Sequence, residues 1–131
     1  LISTLYNSLV ICNHVRLPYR FDIQVLVRAV RAVTGWEYTL VELMKAAERS
    51  LTMARCFNLR EGMTADADTL PEHFFDSVFR SKDLEPLDKN DFLEALVLFY
   101  DIMGWTIDTG LPGQGTLERL DIGWIENSRT E

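Results

Sequence analysis

The stretch TLVELMKAAERSLTMARCFNLREG, Thr39 to Gly62, decides the fold. Thr39 and Glu42 make a capping box, in which each side chain satisfies a free backbone N–H at the helix start. Gly62 stands where a left-handed C-terminal cap is expected. Between them Leu40, Leu43, Met44, Ala47, Leu51 and Ala54 recur at helical spacing. Ala46, Met53 and Phe57 widen that stripe. Only the strip with Glu42, Lys45, Arg49, Thr52 and Arg60 is clearly polar. A helix apolar over more than half its circumference is wrapped by neighbours, so this one is predicted to be the packing axis of the domain.

Upstream, Asp22 is an N-cap for a helix over Ile23 to Thr34 that ends at Gly35. Ile23, Leu26, Val27, Val30 and Val33 form its stripe, with Arg28 and Arg31 pointing outward. The joint from Trp36 to Tyr38 is short, so this helix is adjacent to the central one. Further upstream lies a short apolar run, Leu5 to Ile11. Leu5, Leu9 and Val10 form one face of a short helix, and Asn7 interrupts the run. Arg16 to Tyr19 is a loop, because Pro18 biases Leu17 away from helix.

Downstream, Met63 to Thr69 is a loop without periodicity. Leu70 to Phe75 is a helical turn with Pro71 at its first helical position. Val78 to Leu87 is an irregular connection. Asp88 caps a helix from Lys89 to Met103, with Gly104 as C-cap and a stripe of Phe92, Ala95, Leu96, Phe99, Ile102 and Met103. Trp105 to Gly110 is a turn and Leu111 to Gly115 a loop. A last short helix runs from Thr116 to Asp121 and ends at Gly123. The tail from Glu126 is polar and frayed. No strand of convincing alternation occurs. The expected fold is all-α, an irregular, orthogonal bundle of about five helices.

At 131 residues, 47% of them apolar, the chain is one domain with a proper core. The formal charge of -7 and the lack of any long Lys/Arg cluster argue against nucleic acid and against anionic membrane surfaces. No apolar run reaches the roughly 18 residues of a spanning helix. The N-terminus lacks the basic flank and long apolar stretch of a secretion signal. It also lacks an initiator Met, so a piece of a longer protein is expected. Cys12 and Cys56 form no CxxC pair, which fits a reducing, cytoplasmic compartment.

Chemical candidates are few. His14 and His73 belong to no metal-ligand spacing, and nucleotide-binding, zinc-protease and hydrolase motifs are absent. Cys12 has the most distinct setting, at the close of an apolar segment and ahead of a polar loop. A thiolate there can be a soft ligand for iron or zinc, although a free Cys is more often a small buried hydrophobe. For Cys56 a structural or partner-buried role is expected. Glu48, Arg49, Arg55 and Arg60 are read as scaffold, paired with one another or with loop carbonyls.

Several blocks in order then carry a resemblance. They are Thr34-Gly35-Trp36, Glu48-Arg49, Arg55, Phe57-Asn58-Leu59-Arg60-Glu61-Gly62, Leu70-Pro71, Phe99-Tyr100, Gly104-Trp105, Gly110-Leu111-Pro112, and Thr116-Leu117 with Leu120. From about Asn7 to Gly123 the chain resembles the C-terminal helical region of the aldehyde ferredoxin oxidoreductase family. The resemblance implies that residues 1–131 are the C-terminal domain of a longer enzyme. Such enzymes hold a tungsten (less often molybdenum) bis-pterin and a 4Fe-4S cluster. They oxidise aldehydes to carboxylic acids and pass two electrons to ferredoxin.

Three cluster cysteines of that family come from an earlier domain. The fourth lies in a motif Asp-x-x-Gly-Leu-Cys that also touches the pterin. The matching string is Asn7-Ser8-Leu9-Val10-Ile11-Cys12. The resemblance thus implies Cys12 as cluster ligand, with Asn7 and Ile11 as pterin contacts. Asn7 replaces the Asp, Val10 the Gly and Ile11 the Leu, while His14 and His73 stand where Phe and Arg are usual. No catalytic residue is assigned. The N-terminal cofactor-binding domains of the same chain and ferredoxin are the expected partners, and a homo-oligomer is left open. One thiolate cannot hold a cluster that takes four, so this stretch alone is expected to bind no cofactor and to be inactive. Two other readings stand beside this one: a cofactor-free helical interaction module, and a family relative acting on another substrate such as an aromatic acyl thioester.

Overall fold

The capping box forms as expected. The Glu42 carboxylate accepts from the Thr39 hydroxyl and backbone N–H, each at 2.7 Å, and Glu42 N–H donates to Thr39 Oγ1 at 3.2 Å. These bonds, the hydroxyl's foremost, hold the Glu42 carboxyl below its ordinary pKa. The computed structural model describes residues 1–15, 22–76 and 85–125. Among them are five α-helices: α1 (Ile2–Ser8), α2 (Ile23–Thr34), α3 (Leu40–Arg60), α4 (Lys89–Met103) and α5 (Gln114–Arg119). The described residues contain no strand, only an isolated antiparallel bridge between Trp105 and Pro112. The fold is all-α. No described helix is long and apolar enough to cross a membrane.

Helix α3 is the axis, and three apolar clusters lie along it. Leu43 and Ala47 meet Leu5 and Tyr6 of α1 and Leu26, Val27 and Val30 of α2. Leu51 packs against Tyr100, Met103 and Trp105. Cys56 is buried with Leu117, Leu120 and Ile122, a role within the domain core. A polar seam closes the α3–α5 contact. Arg49 donates to the Leu120 carbonyl and to Asp121, Lys45 also meets Asp121, and Glu48 pairs with Arg119.

The structure corrects several sequence assignments. On α3, Thr52 and Arg55 are buried, whereas Met53, Ala54 and Phe57 are exposed. The buried line runs from Leu43 and Ala47 to Thr52, Arg55 and Cys56; Cys56 meets the Leu117, Leu120 and Ile122 cluster, while Arg55 meets polar groups of the loops. Val33, Ala95 and Ile102 face outward, while Tyr100 is buried. Helix α1 starts ahead of the predicted run and includes Asn7, and Val10 is exposed beyond its end. Helix α5 takes in Gln114 and Gly115 because Gly113, in extended conformation, serves as its N-cap. Pro71 precedes the 3₁₀ turn Glu72–Phe74 instead of opening it, and another 3₁₀ turn, Ala65–Ala67, interrupts the 63–69 loop. The loop at Arg16 to Tyr19, most of the 78–87 connection and the tail from Glu126 lie outside the described residues.

Arg55 ties the loops to the axis. Only 5% exposed, its guanidinium meets Asp68 Oδ2 at 2.7 Å, the Gly110 carbonyl at 2.9 Å and the Tyr100 hydroxyl oxygen at 3.2 Å. It also lies against the rings of Tyr100 and Trp105. Tyr100 in turn donates to Asp68. Gly110, at φ +63°, leaves room for the guanidinium that any Cβ would overlap.

Removing one member strands the others. Arg55→Met is expected to lower the unfolding free energy by about 3 kcal/mol, seen as a lower urea midpoint at unchanged slope. Burial, and then the bond to Asp68, raise the Tyr100 phenol above its ordinary pKa of 10.0. The folded pKa exceeds the unfolded one, so this stabilisation is present below about pH 10 and is lost as pH rises through the folded value. Melting temperatures of the unmodified chain are therefore expected to fall more steeply above pH ~10 than those of Tyr100→Phe.

Candidate functional site

The end of α1 is closed by paired backbone bonds. Ile11 N–H donates to the Tyr6 carbonyl at 2.9 Å, and Val10 N–H to that of Asn7 at 3.0 Å. This is a Schellman ending, which needs a left-handed residue just past the cap. Val10 fills that place at φ +57°, with its side chain 94% exposed. A β-branched residue there is strained by roughly 1–2 kcal/mol. The turn reverses the chain, and Ile11 packs half-buried against the first apolar cluster. Cys12 then emerges on the surface.

The 3₁₀ turn Asn13–Val15 follows at once. It brings the His14 ring over Cys12, with Nδ1 3.7 Å from Sγ. Asn13 Nδ2 donates to Asn7 Oδ1 at 2.9 Å and clasps the turn to α1. The Asn13 side-chain oxygen is buried without a hydrogen-bond partner. Of the residues singled out in the sequence, Asn7 and Cys12 are exposed at this corner, while Ile11 points into the core. The corner offers a surface thiol, an imidazole and two side-chain amides.

Cys12 fits one quarter of a four-thiolate set. Among the described residues no group of three or more His, Cys, Asp or Glu could hold a metal. The remaining donors of such a cluster would have to come from outside them. Being exposed, Cys12 is not the small buried hydrophobe that a free Cys often is; Cys56 is. Arg49 and Arg55 do bond loop carbonyls, and Arg60 pairs with its exposed neighbour Glu61. His73 stacks against Phe74 in the turn before α4, apart from this corner in the chain.

Sequence reasoning did not find the Asn7–Asn13 clasp or the His14–Cys12 contact. The available signal was Asn13-His14 directly after the Cys. Both contacts depend on a left-handed turn that valine does not advertise. A second unforeseen feature is an open apolar groove on the outer side of α4, lined by Leu93, Val97, Leu98 and Ile107 together with Glu94 and Asp101.

Comparison with known proteins places residues 1–122 in the family described as aldehyde ferredoxin oxidoreductase, domains 2 and 3. A tungsten-containing aldehyde ferredoxin oxidoreductase of Pyrococcus furiosus is 32% identical over 101 residues, covering 71% of this chain and 15% of that protein. The proteins of the same description from Thermococcus kodakarensis and Pyrococcus horikoshii are each 29% identical over 91 residues, 63% of this chain and 14% of theirs. The chain thus spans about 15% of the length of the curated relatives it matches.

The strain at Val10 is directly measurable. Val10→Gly is expected to raise stability by about 1 kcal/mol, the relief of left-handed strain less the extra backbone entropy of glycine. Thermal or urea unfolding of the two chains checks it.

Proposed function

The chain belongs to the aldehyde ferredoxin oxidoreductase family, and from that premise we propose that it is the C-terminal helical domain of a tungsten-dependent, iron–sulfur oxidoreductase. In the full-length protein Cys12 supplies the fourth thiolate of a 4Fe-4S cluster, whose other ligands lie in preceding domains. Asn7 lies along the pterin edge of a tungsten (or molybdenum) bis-pterin, and Ile11 backs that edge from the core. The full-length protein converts an aldehyde to a carboxylic acid and passes two electrons to ferredoxin, in the cytoplasm.

The observation that carries this reading is the placement of Cys12. It is exposed at the exit of a left-handed turn, in the register of the family's Asp-x-x-Gly-Leu-Cys motif. Glycine suits that turn without strain, and the chain keeps the turn with valine at φ +57°. Retaining a strained backbone where the motif has drifted favours a working corner over a cofactor-free module. The open apolar groove on α4 supports further domains packing on this one.

Each residue has a defined part. The α1 turn aims the thiol outward, and Ile11 anchors the turn to the core. The Asn7–Asn13 clasp holds Asn7 at the same corner. Asn7 can accept and donate hydrogen bonds but lacks the charge of the family's Asp. The cluster, when bound, supplies one-electron transfer.

The full-length protein, prepared without oxygen, tests the assignment through its iron, sulfide and tungsten content. Cys12→Ala is expected to lose most of the iron and sulfide while keeping the helical fold by circular dichroism. A full complement of iron in that variant would remove Cys12 from the ligand set.

A further inference from the structure

We infer that His14 is a positioning residue for the cluster sulfur: its Nδ1–H donates to Cys12 Sγ and raises the reduction potential of whatever iron–sulfur centre that sulfur ligates. The inference rests on the reading of Cys12 as a cluster ligand and goes beyond it. Its ground is the geometry of the corner, where Nδ1 lies 3.7 Å from Sγ, within reach of a hydrogen bond to sulfur.

The contact is built by the backbone. Only Asn13 separates Cys12 from His14, and the 3₁₀ turn Asn13–Val15 sets the imidazole with its Nδ1 3.7 Å from the sulfur. The clasp from Asn13 to Asn7 at 2.9 Å fixes that turn against α1, so the imidazole is held in place by the same helix end that presents the thiol.

The electrostatic consequence has a sign. A sulfur that accepts a hydrogen bond has part of its negative charge stabilised. Reduction adds an electron to the cluster and its sulfurs, so the donor favours the reduced form and raises the potential. The phenylalanine usual in the family at this place has no donor, so the effect belongs to this chain.

The test uses full-length protein prepared without oxygen, with iron and sulfide counted and the cluster potential read by EPR-monitored redox titration at one fixed pH. His14→Phe and His14→Leu are expected to keep iron and to shift the midpoint to lower potential, and His14→Gln, which retains an N–H donor, to recover part of the shift. An unmoved midpoint in either apolar variant, with Cys12→Ala losing its iron, overturns the role of His14 alone. Full iron in Cys12→Ala overturns the reading beneath it.

Discussion

The buried guanidinium of Arg55 is the constraint on which the lower half of the domain depends. A cation removed from water must find compensation nearby. Here Asp68 comes from the loop after α3, Tyr100 from α4 and Gly110 from the turn before α5. Three segments distant in sequence are held by one side chain of the axial helix. Aromatic rings from Tyr100 and Trp105 exclude water from the pair and add their own attraction. Truncating the arginine leaves Asp68 without its counter-charge and the Gly110 carbonyl without its donor, which is why about 3 kcal/mol is at stake.

The upper half is organised by apolar burial and by how helices end. Helices α1 and α2 lay Leu5, Tyr6, Leu26, Val27 and Val30 on the first turns of α3. The ends of α1, α3, α4 and α5 share one solution, a pair of backbone bonds closed around a left-handed residue. Glycine occupies that residue after α3 and α4, at positions 62 and 104. Valine and aspartate occupy it at Val10 and Asp121. At the Val10 turn the strain coincides with the exit toward Cys12.

Much of the fold was legible because local chemistry and global packing agree. The caps at Asp22, Thr39 and Asp88 and the stops at Gly35 and Gly104 mark α2, α3 and α4 to the residue. Legibility failed where packing partners are polar. Thr52 belongs to the polar strip by residue type and Arg55 carries a charge, yet both are buried, Arg55 because Asp68, the Gly110 carbonyl and Tyr100 of α4 arrive to meet its guanidinium. Exposed Leu93, Val97 and Leu98 fail in the opposite direction. With Ile107 they line an open groove that nothing covers among the described residues. The candidate site was half legible. Cys12 and Asn7 follow from the order of residue types in a family motif, but Asn13 and His14 enter only when the turn folds them back.

The sequence by itself determined the helical class, the axial role of the Thr39–Gly62 segment and the family, because capping, periodicity and ordered blocks are local properties of the chain. Tertiary structure alone decided which Cys is exposed and which is buried. It also decided that Arg55 is the hub of the loops and that His14 reaches Cys12. Each of these depends on where distant backbone is brought. Burial of a charge is tolerable only when carbonyls and carboxylates from other segments arrive to meet it, and a surface thiol gains a neighbour only when a left-handed turn reverses the chain at a residue that ordinarily avoids one.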